Sequence, residues 1–172
     1  NNPSRDPFRN FFSNSFFGQD VTRQISSNEV MVQVLPLPKN GRPKEFEGVV
    51  GTFAIESQVD KSQVKANEAL TFRVRVSGRG NLATLPEPRI VFPSSFEAYP
   101  PKIEQKIHRN PDGITGEKTY EYVLIPRSAG TEYLGPVKLA YFDPTLRTYQ
   151  VRRSSEVTIQ VAPGKSPIGV AE

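Results

Sequence analysis

The clearest pattern along the chain is an alternation of apolar and polar residues, which recurs between Thr52 and Val161. The apolar positions spaced two residues apart are Phe53 and Ile55; Leu70, Phe72, Val74 and Val76; Tyr120, Tyr122 and Leu124; Val137, Leu139 and Tyr141; and Val157, Ile159 and Val161. A period of two places one face of a strand in a core and the other in water. No window of ten or more residues in this range has a helical period, so the pattern predicts an all-β domain.

Turn-forming residues separate the predicted strands. Asn110-Pro111-Asp112-Gly113 combines residues that favour a tight reversal, and it predicts a hairpin between Ile103–His108 and Glu117–Ile125. Five prolines between Leu85 and Lys102 restrict that stretch to short or edge strands. Strands and turns recur about every 8–12 residues, which is typical of an immunoglobulin-like antiparallel β-sandwich.

A short internal repeat indicates how the chain is organised. Ser26–Pro36 resembles Ser154–Pro163, because each has a polar start, an alternating strand and a terminal proline. The second copy closes the sandwich, which we expect to span residues 49–163 with a tail at 164–172. The first copy, with its strand at 29–35, is interpreted as the last strand of a truncated preceding domain. A chance similarity between two short strands remains the alternative.

A proline-rich segment follows the first copy. Three prolines and one glycine fall within Pro36–Pro43, which predicts a stiff, extended connector. We therefore divide the chain into a remnant of a preceding domain at 1–35, a linker at 36–48 and the sandwich. Pro36 and Pro38 are expected to have a structural role in this linker.

The segment Asp6–Gly18 contains five of the eleven phenylalanines. Asp6, Pro7 and Gly18 suit the ends of a helix and predict a short one at 7–17. Three roles stay open for it: packing on the domain to which it belongs, docking into a groove of a partner, and contact with a membrane surface. In the second role, the candidate partner-binding residues are Phe8, Phe11, Phe12, Phe16 and Phe17.

The segment Ser128–Tyr133 lies between two predicted strands. A tyrosine shortly after a glycine resembles the tyrosine corner of immunoglobulin-like sandwiches, in which the phenol hydroxyl bonds to the backbone across the corner. Gly130 and Tyr133 are therefore candidate structural residues. An ordinary half-buried tyrosine is the alternative.

Composition narrows the chemistry that the chain can perform. Its 172 residues include no cysteine and one histidine, which excludes disulfide frameworks, Cys/His zinc sites and cysteine nucleophiles. The net charge of +4 is scattered and not gathered in a basic stripe, so we expect no nucleic-acid partner. No apolar run approaches the roughly 18 residues that a spanning helix needs.

Catalytic motifs are missing from the sequence. His108 alternates with Ile107 and is expected to face solvent, and no G-x-S-x-G elbow presents a serine. Gly78–Ala83 matches G-x-G-x-x-A by letter, but Pro86 and Pro88 follow it where a helix would be needed, so it is interpreted as a strand-connecting loop. We expect no enzyme activity, metal or cofactor. A carboxylate pair in a cleft, as in a hydrolase, remains the alternative that only a structure can test.

A series of motifs follows in a fixed order from Asp6 to Val161. The series comprises Asp6-Pro7-Phe8, Phe16-Phe17-Gly18, Val34–Pro38, Phe46-x-Gly48-x-Val50-Gly51-x-Phe53, Val64–Glu68, Thr71–Gly78, Gly80–Leu82, Pro86 with Pro88, Phe96–Tyr99, Gly116, Tyr120–Arg127, Ala129-Gly130, Pro136-Val137 and Tyr141–Pro144. In order and spacing it resembles the BatD oxygen-tolerance (aerotolerance) family of bacteria. Gly51, within this series, is expected to be structural.

The resemblance implies a location and partners. Such proteins are exported, are anchored by a later transmembrane segment, and place immunoglobulin-like domains in the periplasm or cell envelope. Contact with the membrane would then come only through segments outside this chain. The implied partners are membrane-anchored von Willebrand A domain proteins and MoxR-type ATPases, in a complex linked to oxygen or stress tolerance. No catalytic residues belong to the family pattern.

We therefore expect a non-catalytic protein–protein interaction or scaffold module. Strand 29–35, without a sheet of its own, would be free to self-associate. The alternative function is that of a carbohydrate-binding β-sandwich module of the cell envelope, which would stack sugars on exposed aromatic rings. Its candidate residues are Tyr99, Tyr133 and Tyr149.

Overall fold

The computed structural model describes residues 25–164 of the chain. The chain divides into two compact units at Pro36–Leu37. Within the described residues, the second unit contains ten strands and one short 3₁₀ helix, Leu82–Thr84. No helix among residues 25–164 is long and apolar enough to cross a bilayer. The predicted helix at 7–17, with its five phenylalanines, lies outside the described residues, as does residue 165 onward of the predicted tail.

The strands form an immunoglobulin-like β-sandwich, as the alternation predicts. Their bounds are β1 (Gly51–Val59), β2 (Gln63–Lys65), β3 (Leu70–Gly80), β4 (Phe96–Ala98), β5 (Lys102–Asn110), β6 (Gly113–Pro126), β7 (Gly130–Leu134), β8 (Lys138–Asp143), β9 (Thr148–Arg153) and β10 (Val157–Ala162).

The first sheet is antiparallel and contains five strands, in the order β1-β3-β6, with β4 and β5 both paired to the other edge of β6. Phe96 pairs with Pro126 at one end of β6, and Lys102 pairs with Glu121 farther along it. The two strands are therefore halves of one edge strand, interrupted by the Pro100-Pro101 pair that the sequence marks as a strand breaker. The predicted hairpin is confirmed, because Asn110 pairs with Gly113 where β5 turns into β6.

The second layer contains β2-β10-β7 and the hairpin β8-β9. Strands β7 and β8 pair with β10 and β9 in one continuous register, so they are two halves of a long hairpin. At the break, the side chain of Ser154 takes the place of a backbone acceptor: its Oγ receives the N–H of Val137 at 3.0 Å and the hydroxyl of Ser57 at 2.9 Å. The last bond ties this layer to β1 of the first sheet.

The core lies between the inward faces of the two layers. From the first sheet it contains Leu70, Phe72, Val74, Val76, Tyr120, Tyr122 and Leu124, and from the second layer Leu134, Val137, Tyr141, Ile159 and Val161. Apart from Leu134, these are positions that the alternation assigns to the buried face. Burying each large apolar side chain stabilises the fold by roughly 1.5–3 kcal/mol, so this set supplies most of the driving force.

The glycines near the end of β3 correct one prediction. Gly78–Ala83 is not a loop, since β3 continues through Gly80. The ring of Phe53 lies against the backbone of the glycines, and a Cβ built on Gly78 would lie 2.1 Å from the carbonyl oxygen of Thr52. A side chain at this position would force β1 and β3 apart, which is why glycine occurs inside a strand here.

A second correction concerns residues 29–35, which form no strand. Their apolar side chains are 74–98% exposed. A strand needs a neighbour to satisfy its peptide groups, and no ladder in the described part of the chain includes these residues.

The predicted linker also differs from the structure. Residues 37–48 belong to the second unit, and several of them pack on Tyr149 of β9. Phe46 meets the Tyr149 ring edge-on at 4.9 Å between centroids, and the tyrosine hydroxyl donates to the carbonyl of Pro38 at 2.6 Å. Aromatic packing of this kind fixes the segment, so it is the first part of the domain and not a free connector.

Candidate interaction surfaces

The sequence-predicted site residues lie in different places. Tyr133 lies on β7 with 54% of its surface exposed, and its hydroxyl has no hydrogen-bond partner among the described residues, so it does not form a tyrosine corner. Gly130 begins the same strand. Gly51 begins β1, where a Cβ would lie 2.2 Å from the carbonyl oxygen of Arg79.

Tyr120, on the inward face of β6, makes the buried hydroxyl contact that the sequence assigned to Tyr133. Its hydroxyl donates to the carbonyl of Pro86 at 2.8 Å. Burial, reinforced by the nearby carboxylate of Glu87, raises the pKa of Tyr120 to about 12. This bond holds the proline-rich segment that follows the 3₁₀ helix against the core.

Lys118 helps to hold the same segment. Its ammonium group donates to the carbonyl of Leu85 at 2.8 Å, and burial lowers the pKa of this lysine. Four residues farther along β6, the hydroxyl of Tyr122 donates to the carboxylate of Glu87 at 3.1 Å. The alternation, which places Lys118 on the same face as Tyr120, is the signal that could have identified this inward-facing lysine.

The outer surface of the first sheet carries a grid of charges, here called the charged face. Arg75 bridges Glu56 at 2.6 Å and Glu117 at 3.5 Å, while Lys106 reaches Glu117 at 3.2 Å. The grid lines a shallow groove of about 390 Å³. Since each of these carboxylates already faces a cation, the charged face offers paired ions and no free acid or base.

A cleft of about 320 Å³ lies beside β8 and is called the β8 cleft. Its lining comes from three segments, residues 45–49, 86–91 and 135–140. The floor is apolar, with Leu139 and Ala140 buried, and Val91 on the wall is 93% exposed. An ion pair between Glu47 and Arg89 links two of the walls. An apolar floor with a charged rim suits an extended polypeptide.

The three tyrosines proposed for sugar binding do not share a surface element. Tyr99 follows β4, Tyr133 lies on β7 and Tyr149 on β9. The hydroxyl of Tyr99 donates to Glu97 at 2.6 Å, and the ring of Tyr149 lies between Phe46 and Phe142. The hydroxyl of Tyr99 and the ring of Tyr149 therefore have partners within the chain, and nothing in the arrangement of the three tyrosines favours a sugar platform.

A carboxylate pair suited to hydrolysis does not emerge from the described residues. Asp143 is the buried acid among residues 25–164, and it accepts the N–H groups of Thr145 and Leu146 at 2.8 and 3.0 Å in the β8–β9 turn. Where a carboxyl pKa departs from its usual range, as for Glu104 hydrogen-bonded to Lys102, it is lowered. A general acid needs the opposite shift. His108 is exposed, as predicted.

Metal-binding groups of three or more histidine, aspartate or glutamate side chains are likewise missing from residues 25–164.

Comparison with known proteins gives one match. The BatD DUF11 like domain matches residues 57–161, which is more than half of the chain and runs from β1 to β10 of the sandwich. No curated protein and no solved structure shows significant similarity to the chain. The matching family is one of non-enzymatic domains typically associated with the cell envelope. The chain belongs to the BatD family.

Proposed function

We propose that this chain is a non-catalytic protein–protein interaction or scaffold module in the ectodomain of a membrane-anchored protein. It acts in the periplasm or cell envelope, in a complex linked to oxygen or stress tolerance. Its partners are membrane-anchored von Willebrand A domain proteins, together with a MoxR-type ATPase. Membership of the BatD family supports the envelope setting and the non-catalytic role.

The observation that carries the proposal is a strand edge open to the β8 cleft. Ser154 donates its backbone N–H to the carbonyl of Val137 at 2.9 Å. Because bonded and non-bonded pairs alternate along an antiparallel ladder, the peptide groups of Leu139 face β9, whereas those of Lys138 and Ala140 face away from it. The last two residues line the cleft.

The segment at Val49–Val50 bridges this edge at Phe142, and the outward peptide groups of Lys138 and Ala140 have no backbone partner among the described residues. Phe142, two residues beyond Ala140, donates its N–H to the carbonyl of Val49 at 2.8 Å, which confirms the direction of these peptide groups. The wall opposite contains Pro86 and Pro88, which lack an N–H and cannot form a regular ladder. An extended segment of a partner is expected to add to β8 here and to rest its side chains on Val91.

The test is a binding titration of the chain with the soluble von Willebrand A domain of its membrane neighbour, with and without Mg²⁺. Val91→Asp places a charge on the 93% exposed wall residue and is expected to weaken binding by about tenfold. Leu146→Asp, at a 63% exposed residue of the β8–β9 turn, is the matched control and should bind like the unchanged chain.

The outcomes test the identity of the partner and the position of the contact separately. No saturable binding in either condition would contradict the von Willebrand A assignment. Binding that Val91→Asp leaves unchanged would contradict the β8 cleft as the contact. A chain lacking residues 1–20 tests the phenylalanine segment separately, because loss of binding on truncation assigns contact to Phe8–Phe17.

Self-association through residues 29–35 is a further part of the proposal. Val30, Val32 and Val34 repeat the spacing of Val157, Ile159 and Val161 in β10. In β10 these positions face the core, between β2 and β7. The same spacing and the 74–98% exposure of the apolar side chains support pairing of this segment with the sheet of another molecule.

A further inference from the structure

Strand β5 forms a long open edge of the first sheet. It pairs with β6 on one side over nine residues, from Lys102 opposite Glu121 to Asn110 opposite Gly113, without a bulge. On its other side, no strand of the described part of the chain pairs with it. Bulges and prolines, which usually protect such edges, do not occur within β5.

The hairpin turn determines which peptide groups face outward. A two-residue connection closes with a hydrogen-bonded pair, here Asn110 and Gly113. Bonded pairs then alternate along the ladder, so every second residue of β5 bonds to β6. The residues between them direct their N–H and C=O groups to the open side: Ile103, Gln105, Ile107 and Arg109.

The sequence of this edge is symmetric about Gln105. Ile103-Glu104-Gln105-Lys106-Ile107 reads apolar, acidic, neutral, basic, apolar. If two such strands run antiparallel with Gln105 opposite Gln105, Ile103 lies opposite Ile107 and Glu104 opposite Lys106. Each pairing occurs twice, and no like charges lie directly opposite each other at pH 7, with histidine neutral.

The side chains of this edge lie on the two faces of the sheet in the same symmetric order. Ile103 is on the inward face, opposite Tyr120 of β6, yet 48% of it is exposed because no strand lies beyond β5. Ile107 is on the same face and packs against the core. Glu104 and Lys106 are on the charged face, where Lys102 already pairs with Glu104 and Lys106 with Glu117. The edge lysines are thus partly neutralised within the sheet, which weakens their usual effect of deterring a second strand.

We propose that β5 pairs antiparallel with β5 of a second copy of this chain, about a two-fold axis at Gln105, so that two five-stranded sheets become one continuous sheet. Opposite charges in non-bonded positions, where side chains are closest, specify the register. A two-fold contact of this kind is self-complementary and closes as a dimer. It is independent of the proposed partner in the envelope and of residues 29–35.

The contact involves one strand from each copy, so its area falls below that of a standard interface and the dimer is expected to be weak, with a dissociation constant of about micromolar or higher. Sedimentation velocity over a wide range of concentrations of the full chain should show a monomer–dimer equilibrium. Glu104→Lys or Lys106→Glu alone places like charges opposite each other twice in the dimer, and each should weaken it by about tenfold or more.

The decisive experiment exchanges the charges of Glu104 and Lys106. The double variant Glu104→Lys with Lys106→Glu restores the opposite pairs and should dimerise like the unchanged chain. An equal mixture of the two single variants should form heterodimers, because every charged pair is then complementary. Glu156→Lys, at an exposed residue between β9 and β10, makes the same change in net charge as Glu104→Lys and should leave the dimer unaffected.

Two further variants keep the result interpretable. Gln105→Pro removes an outward N–H and none that bonds to β6, so it should abolish the dimer while the thermal unfolding midpoint stays close to that of the unchanged chain. Val32→Lys, which places a charge in the exposed segment 29–35, should have no effect on the β5 dimer. A chain that stays monomeric at millimolar concentration, a dimer insensitive to the single charge changes, or a mixture that fails to form heterodimers would each overturn the proposal.

Discussion

Close approaches at single residues hold the strands of the first sheet together and hold the proline-rich segment beside them. Gly78 lets β1 and β3 come together beside the ring of Phe53, and Tyr120 reaches across to the carbonyl of Pro86. The sequence predicts Tyr120 on the apolar face of a strand, but it predicts a loop for Gly78–Ala83. It does not say what each contacts, because those partners are distant in the chain.

Gly78→Ala is the direct test of the close approach. The added Cβ would lie 2.1 Å from the carbonyl oxygen of Thr52, and we expect the free energy of unfolding to fall by about 3 kcal/mol in urea titrations. Gly130→Ala is the control, since Gly130 has a similar φ of 153° but no atom within 4 Å of the new Cβ. Gly130→Ala should lower the free energy of unfolding by about 1 kcal/mol, from backbone strain alone. Equal losses at both sites would show that the contact with Thr52 is unimportant.

The raised pKa of Tyr120 predicts that the fold loses stability at alkaline pH. Burial raises its pKa to about 12, above the ordinary value of 10, so the folded state holds this proton more tightly than the unfolded state does. The stabilisation is complete below pH 10 and is lost as pH rises from 10 toward 12. Urea unfolding at successive pH values should show this fall, and Tyr120→Phe should reduce it. Tyr133→Phe, at an exposed tyrosine, should keep the full fall in stability. If the two variants behave alike, burial of Tyr120 does not cause the loss of stability at alkaline pH.

At the scale of whole elements, the alternation was sufficient where strands bury one face and turns carry strong signals, as in β3, β6 and the β5–β6 hairpin. It failed where the outcome depends on a distant partner. Residues 29–35 have a strand pattern but no neighbouring strand, and residues 37–48 have a linker composition but pack on Tyr149. The β8 cleft was not predictable either, because it is built from three segments far apart in the sequence.

Packing on Tyr149 predicts protection of residues 37–48 from proteolysis. Lys39 and Lys44 are the trypsin sites in this segment, since Arg42 precedes Pro43 and an Arg-Pro bond is not cleaved. Arg42 donates to the Tyr149 hydroxyl at 3.1 Å. Tyr149→Ala removes this bond and the ring that Phe46 contacts, so limited trypsin digestion should cleave the segment several times faster. Leu146→Ala, at an exposed residue of the same hairpin, should leave the rate unchanged. Rapid cleavage in the unchanged chain would support the linker interpretation instead.

At the scale of the molecule, we propose that the sandwich formed by the described residues binds other chains through its strand edges. The described carboxylates on the charged face are paired with cations, and the buried Asp143 is used within a turn. Among residues 25–164, the surfaces proposed for contact are the β8 cleft, the open edge of β5 and the exposed segment 29–35. Sequence alone identified the family and the fold, but neither edge, since an open edge is defined by a missing neighbour and no residue type marks it.

The most direct test of the interaction module is amide hydrogen exchange of the chain with and without the soluble von Willebrand A domain. Strand addition in the β8 cleft predicts that the outward-facing amides of Lys138 and Ala140 become protected on binding. The amide of Leu139, already bonded to β9, should change little. Unchanged exchange throughout residues 86–91 and 138–140 at saturating partner would contradict the account.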